Sequence, residues 1–236
     1  MNSYLTLILS IIAIFAIYWV FVGQRKYNEM LMPKKKREIK AVIFDMDGVI
    51  LDSKEAWLKV FNSTRKKFNL PEISEKEFAK KVWGGSVESD AKKYFKNKSV
   101  GEMGKIYIEE FYKFTESTKL MPNAKEVLQK IREKRLKIGL VTNTYKKSVK
   151  KTLEYHKIKD YFDAIVCGDE VEKDKPYPDE IIEACKRLKI NVDEAILVGD
   201  TKNDIIAGRA AGCFVIGYNI MADLRISGLS DLLEMV

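Results

Sequence analysis

Lys40 to Asp52 reads Lys-Ala-Val-Ile-Phe-Asp-Met-Asp-Gly-Val-Ile-Leu-Asp. Ala41 to Phe44 form a short apolar run rich in β-branched residues, the pattern of a strand buried on both faces, and the run stops at two aspartates flanking Met46. Asp45 and Asp47 are therefore expected at the carboxyl end of a core strand. The period of two along a strand points both carboxylates the same way, and Gly48 lets the chain turn without a side chain in the way. Two anions held together call for a cation between them, and a hard, oxygen-liganded ion such as Mg²⁺ suits them. Taken alone, the stretch reads equally well as a strand ending in an Asp-Gly turn.

Outside this stretch the chain divides by pattern. Residues 4–22 carry no charge and are dominated by Leu, Ile, Val and Phe; as a helix they would span roughly 28 Å, close to the hydrocarbon core of a bilayer. Tyr4 lies at one end and Tyr18 and Trp19 at the other, where interfacial aromatics belong. Arg25, Lys26 and Lys34-Lys35-Lys36-Arg37 all follow the segment, which is the wrong order for a cleaved signal peptide. The expectation is a single transmembrane helix over 4–22, a basic linker over 23–38, and a catalytic part on the cytoplasmic side. The formal net charge of +8 is spread over lysine-rich segments that also hold many glutamates, with no zinc-finger spacing or aromatic RNA-binding motif, so nucleic acid is not an expected partner. Cys167, Cys185 and Cys213 are odd in number and sit in apolar or helical contexts, which fits structural thiols.

From Ala124 on, helix and strand patterns alternate. Helices are expected at 124–134, 148–155, 179–188 and 203–211, and strands at 137–141, 164–166, 195–198 and 214–217. Such alternation predicts a Rossmann-like α/β core, a parallel sheet flanked by helices, whose chemistry collects beyond the carboxyl ends of the strands. Between the first strand and this region, residues 54–119 read as an inserted helical domain. Ser74 with Glu77 and Ser99 with Glu102 have capping-box spacing, and Met103, Ile106, Tyr107, Phe111 and Phe114 form a packing stripe. Trp83-Gly84-Gly85-Ser86 interrupts the insertion as a loop whose backbone can approach a ligand. The core is then 39–53 with 120–236.

Three further strand ends carry polar groups: Thr142-Asn143, Lys175 in Lys-Pro-Tyr-Pro, and Gly199-Asp200 followed by Asp204. Each alone reads as a helix cap or a solvated loop charge. Together, in this order, they supply what phosphoryl transfer to a carboxylate needs: a nucleophile, a metal site, and cationic and hydroxyl donors for the transferring group.

These four motifs resemble those of the haloacid dehalogenase superfamily of phosphatases, in the branch of phosphoglycolate phosphatase and β-phosphoglucomutase, over about 39–217. The resemblance implies that Asp45 is the phosphorylated nucleophile and Asp47 the general acid and base. It implies that Thr142, Asn143 and Lys175 hold the phosphoryl group. Mg²⁺ would be bound by the Asp45 carboxylate, the Asp47 main-chain oxygen and Asp200, with Asp204 in support. The insertion resembles the family's type 1 cap, with Trp57, Trp83, Gly85 and Ser86 facing the substrate, a small phosphorylated metabolite for which phosphoglycolate is one candidate. A dehalogenase proper has no use for Asp47 or Asp200. Mutases of the β-phosphoglucomutase type carry a histidine where Trp57 stands and an arginine where Val87 stands, so hydrolysis is expected over mutase chemistry. A membrane-tethered, non-catalytic scaffold is the alternative outside enzymology, and none of the catalytic positions has been lost. Apart from the lysines and Arg65, no residue of the insertion stands out as an anchor for a second anionic group.

Overall fold

The computed structural model describes residues 38–96 and 98–236. The expected span over 4–22, and the linker but for Glu38, lie outside them; among the described residues no helix is long and apolar enough to cross a membrane. Everything below concerns the compact unit Ile39–Val236.

Its centre is β1 (Ala41–Asp45), five residues all buried. The other sheet strands are β4 (Lys137–Thr142), β5 (Ala164–Cys167), β6 (Ala195–Gly199), β7 (Phe214–Tyr218) and β8 (Leu224–Ile226). The order is β5-β4-β1-β6-β7-β8, and every pairing is parallel. Alternate residues of β1 feed two separate cores: Val42 and Phe44 enter one, Ala41 and Ile43 the other. That division is why the β1 sequence shows a continuous apolar run instead of alternation. Helices α5 (Ala124–Glu133), α6 (Lys146–Tyr155), α7 (Asp179–Leu188) and α8 (Lys202–Ala211) connect the strands, giving the Rossmann-like layering that the alternation predicts. β8 lies beyond the expected strands. Only Ile226 of its three residues is buried, so this edge strand carries no periodic signal.

Two short strands, β2 (Leu51–Asp52) and β3 (Lys119–Leu120), pair antiparallel where the chain leaves the sheet unit and returns to it. Between them stand α1 (Lys54–Lys67), α2 (Glu75–Lys81), α3 (Val87–Tyr94) and α4 (Val100–Phe114). These helices pack around an apolar cluster of their own, in which Phe61, Phe78, Phe95 and Phe111 are buried. Met103, Tyr107 and Phe111 of the expected stripe enter that cluster, and Ser99 with Glu102 forms a complete capping box at the start of α4. The three cysteines are buried and unpaired.

Candidate active site

The strand order decides which residues meet. With β1 between β4 and β6, and Asp45 level with Val141 while Phe44 is level with Val198, the ends of three adjacent strands present Asp45, Thr142 and Gly199-Asp200 at one edge. The chain turns at Gly48 with φ +89°, and a Cβ there would lie 2.2 Å from Asp200 Oδ2, so only glycine lets the two acidic strand ends abut.

Lys175 reaches in from the loop after β5, with its peptide bond to Pro176 in cis. It is 4% exposed; its Nζ donates to Asp45 Oδ1 at 2.6 Å and to Asp204 Oδ1 at 2.7 Å. Burial opposes its charge, but Asp204 and Asp45 outweigh burial and hold its pKa well above the ordinary lysine value. Burial pushes Asp45 up, Lys175 pulls it down, and Asp204, Asp200 and Asp47 push it up again. These influences on Asp45 conflict; the 2.6 Å contact of a buried ammonium that also holds Asp204 at 2.7 Å argues for the ionised pair. Asn143 positions this lysine: its Oδ1 accepts from Lys175 N at 2.9 Å and its Nδ2 donates to Lys175 O at 3.0 Å. Its side chain is thus occupied, and only its main chain is left to meet a phosphate.

Asp47 is surrounded by donors. Ser53 Oγ (2.6 Å) and Trp57 Nε1 (2.9 Å) donate to Oδ1, and Thr144 Oγ1 (2.8 Å) and Thr142 Oγ1 (3.4 Å) to Oδ2. Thr144 and Ser53 are additions to the expected set. Thr144 lies in the bend two residues past the end of β4, and the role of Ser53 depends on how α1 leaves the sheet, so neither carries a strand-period signal.

The loop 83–86 lies across the strand ends. Trp83 Nε1 donates to Asp200 Oδ2 at 3.1 Å, Asn203 Nδ2 to Gly84 O at 2.7 Å, and Asn143 Nδ2 to Gly85 O at 3.4 Å. Gly84, at φ +76°, faces Thr201 so closely that a Cβ would come within 2.7 Å of it. Ser86 caps α3, its Oγ accepting from Ser89 N.

Charge balance shows what this arrangement can hold. Asp45, Asp47, Asp200 and Asp204 face one ammonium, and carboxylate oxygens of Asp45, Asp200 and Asp204 lie within 4.8 Å of one another. Both oxygens of Asp204 are engaged, Oδ1 by Lys175 and Oδ2 by Thr201. Asp200 Oδ1 is buried with no hydrogen-bond partner, and burial followed by Asp204 pushes this carboxyl up to about 7. A buried, unpartnered carboxylate oxygen beside a second carboxylate is a donor set suited to a hard divalent cation. Glu180, also buried and unpartnered, is pushed by burial up to about 8 and so adds no negative charge at neutral pH.

The pattern of haloacid dehalogenase-like hydrolases matches residues 42–218. The chain belongs to this family. Among haloacid dehalogenase-like relatives, a protein provisionally named pyrophosphatase PpaX, of Caldanaerobacter subterraneus, is 31% identical over 74% of this chain and 79% of its own. The phosphoglycolate phosphatase of Aquifex aeolicus is 30% identical over 84% of this chain and 97% of its own. A crystal structure described as a predicted phosphoglycolate phosphatase of Haemophilus somnus superimposes with a TM-score of 0.71 at 25% identity, covering 85% of this chain and 99% of that one. The family match spans all four motifs.

Proposed function

We propose that the protein is a Mg²⁺-dependent phosphomonoester hydrolase acting on a small phosphorylated metabolite through an aspartyl-phosphate on Asp45, with the helical unit 54–119 as its cap. The observation that carries the reading is the Asp45–Lys175–Asp204 cluster beside the unpartnered Asp200 oxygen. Asp45, Asp200 and the Asp47 main chain would hold a Mg²⁺, which would supply positive charge that keeps Asp45 ionised and neutralises phosphoryl oxygens.

In the first half-reaction an Asp45 oxygen attacks phosphorus, the ester P–O bond breaks, and Asp47 gives its proton to the departing alkoxide. In the second, Asp47 takes a proton from water as that water attacks phosphorus; the Asp45–phosphorus bond breaks, releasing phosphate and the Asp45 carboxylate. Lys175 and Thr142 meet the charge on the transferring group. Hydrogen-bond chemistry decides which Asp47 oxygen carries the proton. The Trp57 indole can only donate, so it keeps Oδ1 an acceptor; the hydroxyls of Thr142 and Thr144 can donate or accept, so Oδ2 can gain and lose the proton without losing its partners. Trp57→Phe keeps a ring against Phe111, 4.7 Å away, but removes the N–H. It is expected to lower kcat about 10-fold with KM little changed, as for loss of one group orienting a general acid. An unchanged kcat in steady-state kinetics would remove Trp57 from the mechanism.

The test of the whole reading is phosphate release from p-nitrophenyl phosphate by the full-length protein, present with Mg²⁺, absent after chelation with EDTA and restored by added Mg²⁺. A folded protein that hydrolyses no phosphate ester under these conditions refutes it. The sequence of 4–22 supports a further part of the proposal, a membrane anchor with the catalytic unit on the cytoplasmic side. Recovery of the full-length chain in the soluble fraction after cell lysis would remove the anchor.

A further inference from the structure

Asp45, Asp47, Asp204 and Lys175 form the floor of a cavity with about 810 Å³ of empty space, counting the part open to solvent. Its floor is charged; apart from Asp90, its walls carry no acidic or basic side chain among the described residues. The helical unit contributes Phe61, Phe78, Val82, Val87, Tyr107 and Ile108, with the rings of Trp57 and Trp83 at the join to the floor. Among the described residues no arginine lines the cavity, and its single lysine is Lys175, already paired with Asp45 and Asp204. Arg65 does not line it and bonds to Pro71 O.

The titratable group that the helical unit does offer is a carboxyl, which burial pushes up to about 7. Asp90 lines the cavity, is 6% exposed, and accepts from Tyr107 Oη at 2.8 Å. Lys93, whose charge reaches Asp90, is exposed and does not line the cavity. A carboxylate or second phosphate on the substrate's organic half would lose its water in this space and meet no cation in the wall. An apolar or aromatic group would instead cover the phenylalanine and tryptophan rings and expel water from the reacting centre.

We propose that the alcohol half of the substrate is uncharged and apolar, an aromatic ring included, and that carboxylated esters such as phosphoglycolate are rejected by the wall of the cavity. The proposal rests on the phosphomonoesterase reading and adds to it the chemical class of the substrate. It separates this chain from what the names of its relatives suggest.

The experiment compares benzyl phosphate, 4-carboxybenzyl phosphate and phosphoglycolate as substrates of the full-length protein with Mg²⁺. Benzyl phosphate is expected to exceed each carboxylated ester about 100-fold in kcat/KM, the scale on which an unpaired charge is rejected from a desolvated site. Equal or faster hydrolysis of either carboxylated ester overturns the proposal. Titration with benzylphosphonate and its 4-carboxy derivative, followed by tryptophan fluorescence, reads the same preference without turnover. If no ester is hydrolysed but benzylphosphonate binds about 100-fold more tightly, the apolar cavity stands and the hydrolase reading falls. Equal binding of the two phosphonates overturns the cavity proposal.

Discussion

Asp45→Asn is expected to lower turnover of every phosphate ester about 10⁴-fold or more, because an amide neither attacks phosphorus nor balances the charge of a bound cation. Fold and thermal stability should survive. Asp45 is buried beside three other carboxylates, so neutralising it relieves repulsion, and Lys175 keeps Asp204 at 2.7 Å as its counter-ion. Activity and melting temperature measured on the same preparation therefore separate a chemical role from a structural one. A variant that melts like the parent and retains more than a few per cent of its activity would move the nucleophile elsewhere, and acid-quenched protein from a labelled ester should carry phosphate in the parent alone.

Lys175→Met should have the largest effect on stability. The ammonium is almost fully buried and bridges two carboxylates, so removing it leaves Asp45 and Asp204 in a space that excludes water with no cation between them. Breaking a buried pair in this way costs about 3–5 kcal/mol. The pH dependence follows from the direction of the Asp45 shift. Burial and the neighbouring carboxylates raise its folded-state pKa, and the variant lacks the lysine that opposes them. A carboxyl whose folded pKa is raised binds more protons folded than unfolded, so its unfavourable contribution grows as pH rises above the unfolded value. The melting-temperature gap between parent and variant should therefore be widest above neutral pH and narrow toward pH 5, and added Mg²⁺ should recover part of it at high pH. A variant as stable as the parent at pH 8 without metal would show that Lys175 does not hold the site together.

Much of this site is local in the sequence. Asp-x-Asp-Gly after an apolar run, Thr142 after another, and Gly-Asp after a third are each readable because a buried strand ends abruptly and its last residues must face the same edge of a parallel sheet. Ser53, Asn203 and the indole N–H groups are not readable in that way. Ser53 and Trp57, at the start of α1 after the short β2, reach back to Asp47, and Asn203 finds Gly84 across 119 positions of chain. Trp57 shows the difference well: by position it argues against mutase chemistry, while its contact makes it a donor to Asp47. Asn143 gains a role that the sequence does not show, its side chain clamping the Lys175 main chain.

By itself the sequence determined the α/β class, the order of the acidic, hydroxyl and lysine motifs, and the helical insertion, because periodicity and strand-end chemistry are properties of neighbouring residues. Tertiary structure alone decided that β1 lies between β4 and β6, that one ammonium serves two buried carboxylates, and that Asp200 keeps an oxygen without a partner. It also decided that the lysines and Arg65 of the helical segment stay off the cavity while Asp90 and the aromatic rings line it. The physical reason is that charge compensation and desolvation depend on distances between segments far apart in the chain, which close only when the helices settle over the sheet.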